Sequence, residues 1–162
     1  FMFDSKNELY LKIILIISFT ALIFAYFVEH ILGHQPCNLC IIERIPYGIS
    51  IILIAIIFII KKNQKFLTLL LILTFAFSFI ISFYHYGIEQ GFFDESTVCN
   101  ARNFTESITK EDLLKELSKK TISCKDVTFR FFGFSLTSIN VVLSLLFIIT
   151  LIKIFIKYEK NK

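Results

Sequence analysis

The chain has 162 residues, 56% of them hydrophobic and 19% charged, with 20 Phe, no Trp, 2 Pro and 5 Gly. This composition excludes disordered and collagenous chains, and its apolar residues are gathered into long blocks rather than a period of 2 or 3.6, which points to one membrane domain over residues 1–162. The formal net charge of +4 is too modest to indicate nucleic acid as a partner, and its placement along the chain says more than its size.

Four spans are predicted, at about 9–28, 39–60, 66–86 and 131–152. Leu9 to Val28 carries only Lys12, and a helix of that length, at about 1.5 Å per residue, covers the roughly 30 Å hydrocarbon core. It is longer than the apolar region of a secretory signal, and Ala25-Tyr26-Phe27 is a poor cleavage site, so this span is expected to stay. Ile45 to Ile60 is uncharged but short, so its helix must begin earlier, near Cys37 to Leu39, leaving Glu43 and Arg44 at the membrane boundary. Phe66 to Tyr86 follows a very short basic turn. Phe131 to Ile152 closes the set, and its Ser135, Ser138, Asn140 and Ser144 suit close contact between helices. The fold class is therefore an all-α four-helix transmembrane bundle.

Orientation follows from lysines near the ends of spans, which favour the cytoplasm. One side holds Lys6, Lys12, Lys61, Lys62, Lys65, Lys153, Lys157, Lys160 and Lys162 against three acids, while the other is net negative. Both termini are thus expected in the cytoplasm and all four cysteines outside. The outer segments are 29–38 and 87–130. The second is far longer than a connection needs. Within it Thr109 and Glu111 favour a helix start, Lys119 and Lys120 a helix end, and Leu113, Leu114 and Leu117 an apolar stripe, so a short amphipathic helix is expected there. Cys99 and Cys124 flank it with 24 residues between them, a spacing that suits a disulfide closing a loop.

In the first outer segment Gly33 and Pro36 end one helix and introduce the next, which opens with Cys37-Asn38-Leu39-Cys40. A Cys-x-x-Cys at a helix start is chemically pointed, because backbone N–H groups and the helix dipole stabilise a thiolate there. Arg44 lies one turn deeper on the face of Cys40, where it could stabilise that thiolate, stabilise charge developing on a substrate oxygen, or pair with Glu43 or a lipid phosphate. Three readings of the cysteines are open. They form two inert disulfides; or His30, His34, Cys37 and Cys40 hold a metal or haem; or two pairs relay electrons by thiol exchange. A membrane relay needs a lipid-soluble acceptor, for which a quinone near Arg44, assisted by His85, fits.

Three stretches are similar to the DsbB family of bacterial disulfide bond formation proteins: Cys37-Asn-Leu-Cys40-Ile-Ile-Glu43-Arg44, Tyr84-His85-Tyr-Gly87-Ile-Glu89, and the run from Cys124 through Gly133 to Ser135. With four spans in the right order, the resemblance covers nearly the whole chain. It implies an enzyme that reoxidises a periplasmic thioredoxin-like thiol oxidase of the DsbA type and passes electrons to ubiquinone or menaquinone. It further implies that Cys99 meets the partner, Cys124 is its loop mate, Cys37 exchanges with that pair, and Cys40 faces the quinone with Arg44 and His85. No bound metal is expected. The related four-helix quinone reductases of the vitamin K epoxide reductase type are the neighbouring alternative, although their Cys-x-x-Cys lies later in the chain.

Overall fold

A computed structural model describes residues 5–34, 36–60, 63–94, 124, 130, 131 and 133–160. Helix α1 spans Ser5–His30, α2 spans Asn38–Ile42, α3 spans Arg44–Ile60 and α4 spans Gln64–Glu89. A two-stranded antiparallel ribbon, β1 (Arg130–Phe131) and β2 (Phe134–Ser135), leads directly into α5, Leu136–Lys160. Gly133 supplies the left-handed residue of its turn, with φ +84°. The apolar run that begins at Phe131 thus enters a helix only at Leu136. Cys99 and the amphipathic helix expected near 109–120 lie outside the described residues.

Four helical segments are long and apolar enough to cross a membrane: Lys6–His30, Asn38–Ile60, Gln64–Glu89 and Leu136–Tyr158. The second contains the junction between α2 and α3, where Glu43 keeps helical backbone angles (φ −63°, ψ −20°). Their outer faces are as apolar as their cores, with Ile16, Ile52, Ile59 and Ile80 all more than 60% exposed. Such a surface is stable against lipid and not against water. The molecule is an all-α membrane bundle.

Because lipid removes the hydrophobic drive for helix association, close packing and small polar contacts hold such bundles together. Phe75 of α4 sits edge-on to Phe147 of α5 with ring centroids 4.9 Å apart, and Ile54, Ile57, Leu71 and Leu151 fill the space around them. Serines let backbones approach: Ser78 and Ser144 meet at 3.1 Å between α4 and α5, and Ser50 meets Ser18 at 3.3 Å between α3 and α1. Helices α4 and α5 share the most extensive contact, α1 lies on α3, and α1 and α5 touch only sparsely. That loose seam borders the site described next.

Candidate functional site

The backbone first positions Cys37. Helix α1 ends at His30, Gly33 turns the chain with φ +71°, and Pro36 delivers Cys37 in extended conformation as the N-cap of α2. Its Sγ accepts a hydrogen bond from the Cys40 backbone N–H at 3.3 Å. Capping by sulfur satisfies one of the unpaired donors of a helix start and fixes where both thiols point. The two Sγ atoms are 2.6 Å apart. Cys124 is buried beside them, and Leu39 and Ile88 complete a small apolar cluster around the three thiols. Hydrogen bonds from Cys124 and then Cys40, with His85 adding a third, hold the Cys37 thiol far below the usual range despite its burial.

A buried polar network braces this group. His85 of α4, 2% exposed, brings Nε2 to 3.6 Å from Cys37 Sγ, while its Nδ1 is 2.8 Å from Glu43 Oε1. The other Glu43 oxygen accepts from Asn140 Nδ2 at 2.8 Å. Asn140 also donates to Ser82 Oγ at 2.7 Å and accepts from the Tyr47 hydroxyl. Thr137 donates to Glu89 Oε1 at 2.7 Å, and that oxygen lies 3.9 Å from His85 Nε2. With Nδ1 held at a carboxylate, the imidazole is fixed in orientation, and Nε2 is the nitrogen that faces sulfur. The second, third and fourth spans thus converge on one histidine.

Arg44 opens α3 one turn below Cys40. It pairs with Glu29 of α1 rather than with its neighbour Glu43, and its guanidinium carbon lies 5.1 Å from the Tyr26 ring centroid. An Arg clamped between an acid and an aromatic face keeps its remaining donors in a fixed direction.

A cavity of about 500 Å³ lies beside these residues. Cys37, Cys40, Cys124, Arg44 and His85 line its polar end, and its walls are mostly apolar, from Ile17, Leu22 and Val28 of α1 to Leu136, Ile139 and Leu143 of α5. It therefore lies between α1 and α5, which touch only sparsely. The structure brings together five of the six residues singled out in the sequence; Cys99 lies outside the described residues. Among the described residues, His30, His34, Cys37 and Cys40, left open by the sequence as a metal site, are not assembled around one point. His30 instead has its ring nitrogen 3.2 Å from the Tyr26 carbonyl, and among the described residues the His/Cys group close enough to share an ion is Cys37, Cys40 and His85, with ligand atoms within 4.8 Å. Glu43, Asn140 and Glu89 were not anticipated as parts of the site. Glu43 and Glu89 stand in the family-like stretches without a role assigned to them, and for Asn140 the signal in the sequence was cost, since acids and amides inside a span need partners.

The end of α4 folds back on this region. Phe92 and Phe93 donate backbone hydrogen bonds to the Gly87 carbonyl at 2.8 and 3.3 Å, and the Phe93 ring covers Gly87 so closely that a Cβ there would lie 2.2 Å from it. Phe93 also stacks on Tyr84, with centroids 5.7 Å apart. Glycine in the Tyr84-His85-Tyr-Gly87 stretch is thus explained by the approach of an aromatic ring.

A buried dithiol capping a membrane helix, with a third thiol and an oriented histidine against it, defines a membrane-embedded thiol oxidoreductase. Residues 7–154 match the family described as disulfide bond formation protein DsbB, and the chain belongs to that family. It is also 30% identical over 152 residues to an uncharacterized protein of Rickettsia prowazekii (strain Madrid E), an alignment covering 93% of this chain and 88% of the relative.

Proposed function

We propose that the chain is a protein thiol oxidase of the bacterial inner membrane, with both termini cytoplasmic, that reoxidises a periplasmic DsbA-type dithiol oxidase and delivers two electrons to ubiquinone or menaquinone. The observation that carries this reading is the position of Cys37, whose sulfur hydrogen-bonds with both Cys40 and Cys124. One thiolate can then take part in two successive exchanges without a helix having to move.

In the reaction so read, the partner's dithiol attacks a Cys99–Cys124 disulfide at Cys99 and leaves oxidised, with the loop pair reduced. The loop dithiol then exchanges with a Cys37–Cys40 disulfide, which re-forms Cys99–Cys124 and places two electrons and two protons on Cys37 and Cys40. A quinone, when bound, supplies a two-electron, two-proton acceptor. The cavity suits such a group: its walls are apolar, it adjoins the sparse α1–α5 seam, and Arg44 and His85 offer N–H donors at the polar end. Those two residues would hold it. His85, fixed by Glu43, is placed to move a proton at the Cys37 sulfur, and the burial of Cys37 and Cys124 keeps water from the exchanging thiols.

The test is quinone absorbance followed in time, with purified protein, a reduced DsbA-type partner and a quinone analogue. Consumption in step with partner oxidation, lost when any of the four cysteines is replaced, is expected. Cys99→Ser should stop partner exchange yet leave quinone binding, and Arg44→Ala should weaken quinone use by roughly ten- to a hundredfold, the worth of one hydrogen bond from a charged group. A folded protein that consumes no quinone would overturn the reading. A second reading has one observation in its favour, since Cys37, Cys40 and His85 could share a soft cation. Stoichiometric metal in the purified protein would favour it.

A further inference from the structure

Arg44 does not meet the cavity alone. Its Nη1 donates to Glu29 Oε2, and the ring of Tyr26, one turn before Glu29 on the same face of α1, lies against the guanidinium. Glu29 stands in the last turn of α1, where the negative end of the helix dipole disfavours an acid and the membrane boundary makes one costly. Nothing in the helix itself favours a carboxylate there; a cation across from it does. Glu43, beside Arg44 in the chain, does not take that role, because its two oxygens are engaged by His85 and Asn140. Glu29 and Arg44 both line the cavity, with side chains 28% and 17% exposed, so the pair belongs to the cavity's polar end.

We propose that Glu29 sets the charge selectivity of the cavity: by cancelling the charge of Arg44, it leaves a guanidinium that binds an uncharged quinone carbonyl and does not draw in an anionic acceptor. A carbonyl oxygen needs only N–H donors, which act at contact, and Arg44 keeps several of them beyond the one given to Glu29. An anion entering apolar walls loses its water and needs a net opposite charge to offset that loss. Among the described residues lining the cavity, Arg44 is the one side chain with a permanent positive charge, and Glu43 and Glu89 add further acids. With Glu29 in place the polar end therefore offers donors without a surplus of positive charge. Glu29 acts within the quinone reading proposed above, on which this inference rests, and it acts through Arg44, as a positioning residue. An ion pair that merely pinned α1 to α3 would affect neutral and anionic ligands alike.

The probes are lawsone, a hydroxynaphthoquinone that is an anion at neutral pH, and its methyl ether, which is neutral and of nearly the same size. Both are titrated calorimetrically into the oxidised protein, which has no dithiol to react with them, and the ratio of the two affinities is compared among variants in one detergent, so that partition into micelles cancels. The parent should favour the ether. Glu29→Gln, isosteric but uncharged, should move the ratio toward lawsone by roughly fivefold, the strength of an ion pair that water still reaches. Glu29→Met, a second charge-free side chain of similar length, should do the same, whereas Glu29→Asp retains the charge and should keep the ratio near the parent's. In an Arg44→Gln background, Glu29→Gln should no longer move the ratio. Thermal unfolding checks that each variant is folded. A parent that favours lawsone, a folded charge-free variant that keeps the parent's ratio or loses both ligands equally, or a shift that persists without Arg44 would each overturn the assignment and leave the quinone reading standing. A parent that binds neither probe would overturn the quinone reading and this assignment together.

Discussion

Replacing Cys124 with Ala should return the Cys37 thiol toward the ordinary range, near 8.5 for a free cysteine. The Cys37 thiolate is held first by the hydrogen bond from Cys124, then by Cys40 and His85, with burial opposing all three. A hydrogen bond to a charged group is worth roughly 1.5–3 kcal/mol, and about 1.4 kcal/mol corresponds to one pH unit, so the titration midpoint should rise by about one to two units. The sign is fixed by which form loses its support. Only the thiolate accepts this bond, so its removal favours the protonated thiol and shrinks the reactive fraction ten- to a hundredfold wherever the thiol is not yet fully ionised. Cys124→Ser keeps an O–H donor in place and should retain most of the depression. The assay is ultraviolet thiolate absorbance against pH in the fully reduced protein, which needs no reagent to reach a buried sulfur. Ala and Ser variants that both titrate like the parent would show that Cys124 does not set the state of Cys37.

Two further substitutions probe the support around the thiols. The Glu43 carboxylate accepts from both His85 and Asn140 at 2.8 Å, and glutamine can offer only one acceptor oxygen, so Glu43→Gln should lose about 1–3 kcal/mol in detergent unfolding experiments; an unchanged unfolding midpoint would refute the network. Gly87→Ala places a methyl 2.2 Å from the Phe93 ring and should cost about 1–3 kcal/mol through overpacking. Adding Phe93→Ala should recover most of that loss, and failure to recover it would place the strain elsewhere than in the ring contact.

The four helices were legible because each is an almost unbroken apolar block, and the bilayer imposes its own minimum length on such blocks. The association of Cys37, Cys40 and Arg44 was legible for a different reason: they lie within two helical turns of one another, so spacing alone puts them together. What the sequence withheld was partnership between helices. Glu43 is joined to His85 across 42 residues and to Asn140 across 97, and no local pattern encodes either bond. Asn140 was read as a packing residue, yet it holds together Glu43, Ser82 and Tyr47. For Arg44 the sequence left several uses open, pairing with Glu43 among them, and Glu29 of another helix takes that acid's place, because adjacent residues on a helix point in different directions. His85 was recognisable through its motif, but its two nitrogens acquire distinct roles only once α4 packs against α2, whose two ends carry Cys37 and Glu43.

The sparse contact between α1 and α5 also changes how a molecule arriving at the cavity must be counted. An apolar visitor that enters from between acyl chains searches a plane, and its abundance is a mole fraction of the surrounding lipid. Diluting vesicles with buffer would leave its occupancy untouched, whereas diluting the protein's bilayer with inert lipid would lower it. Saturation curves gathered at different lipid-to-protein ratios would therefore disagree when plotted against bulk concentration and coincide when plotted against surface density.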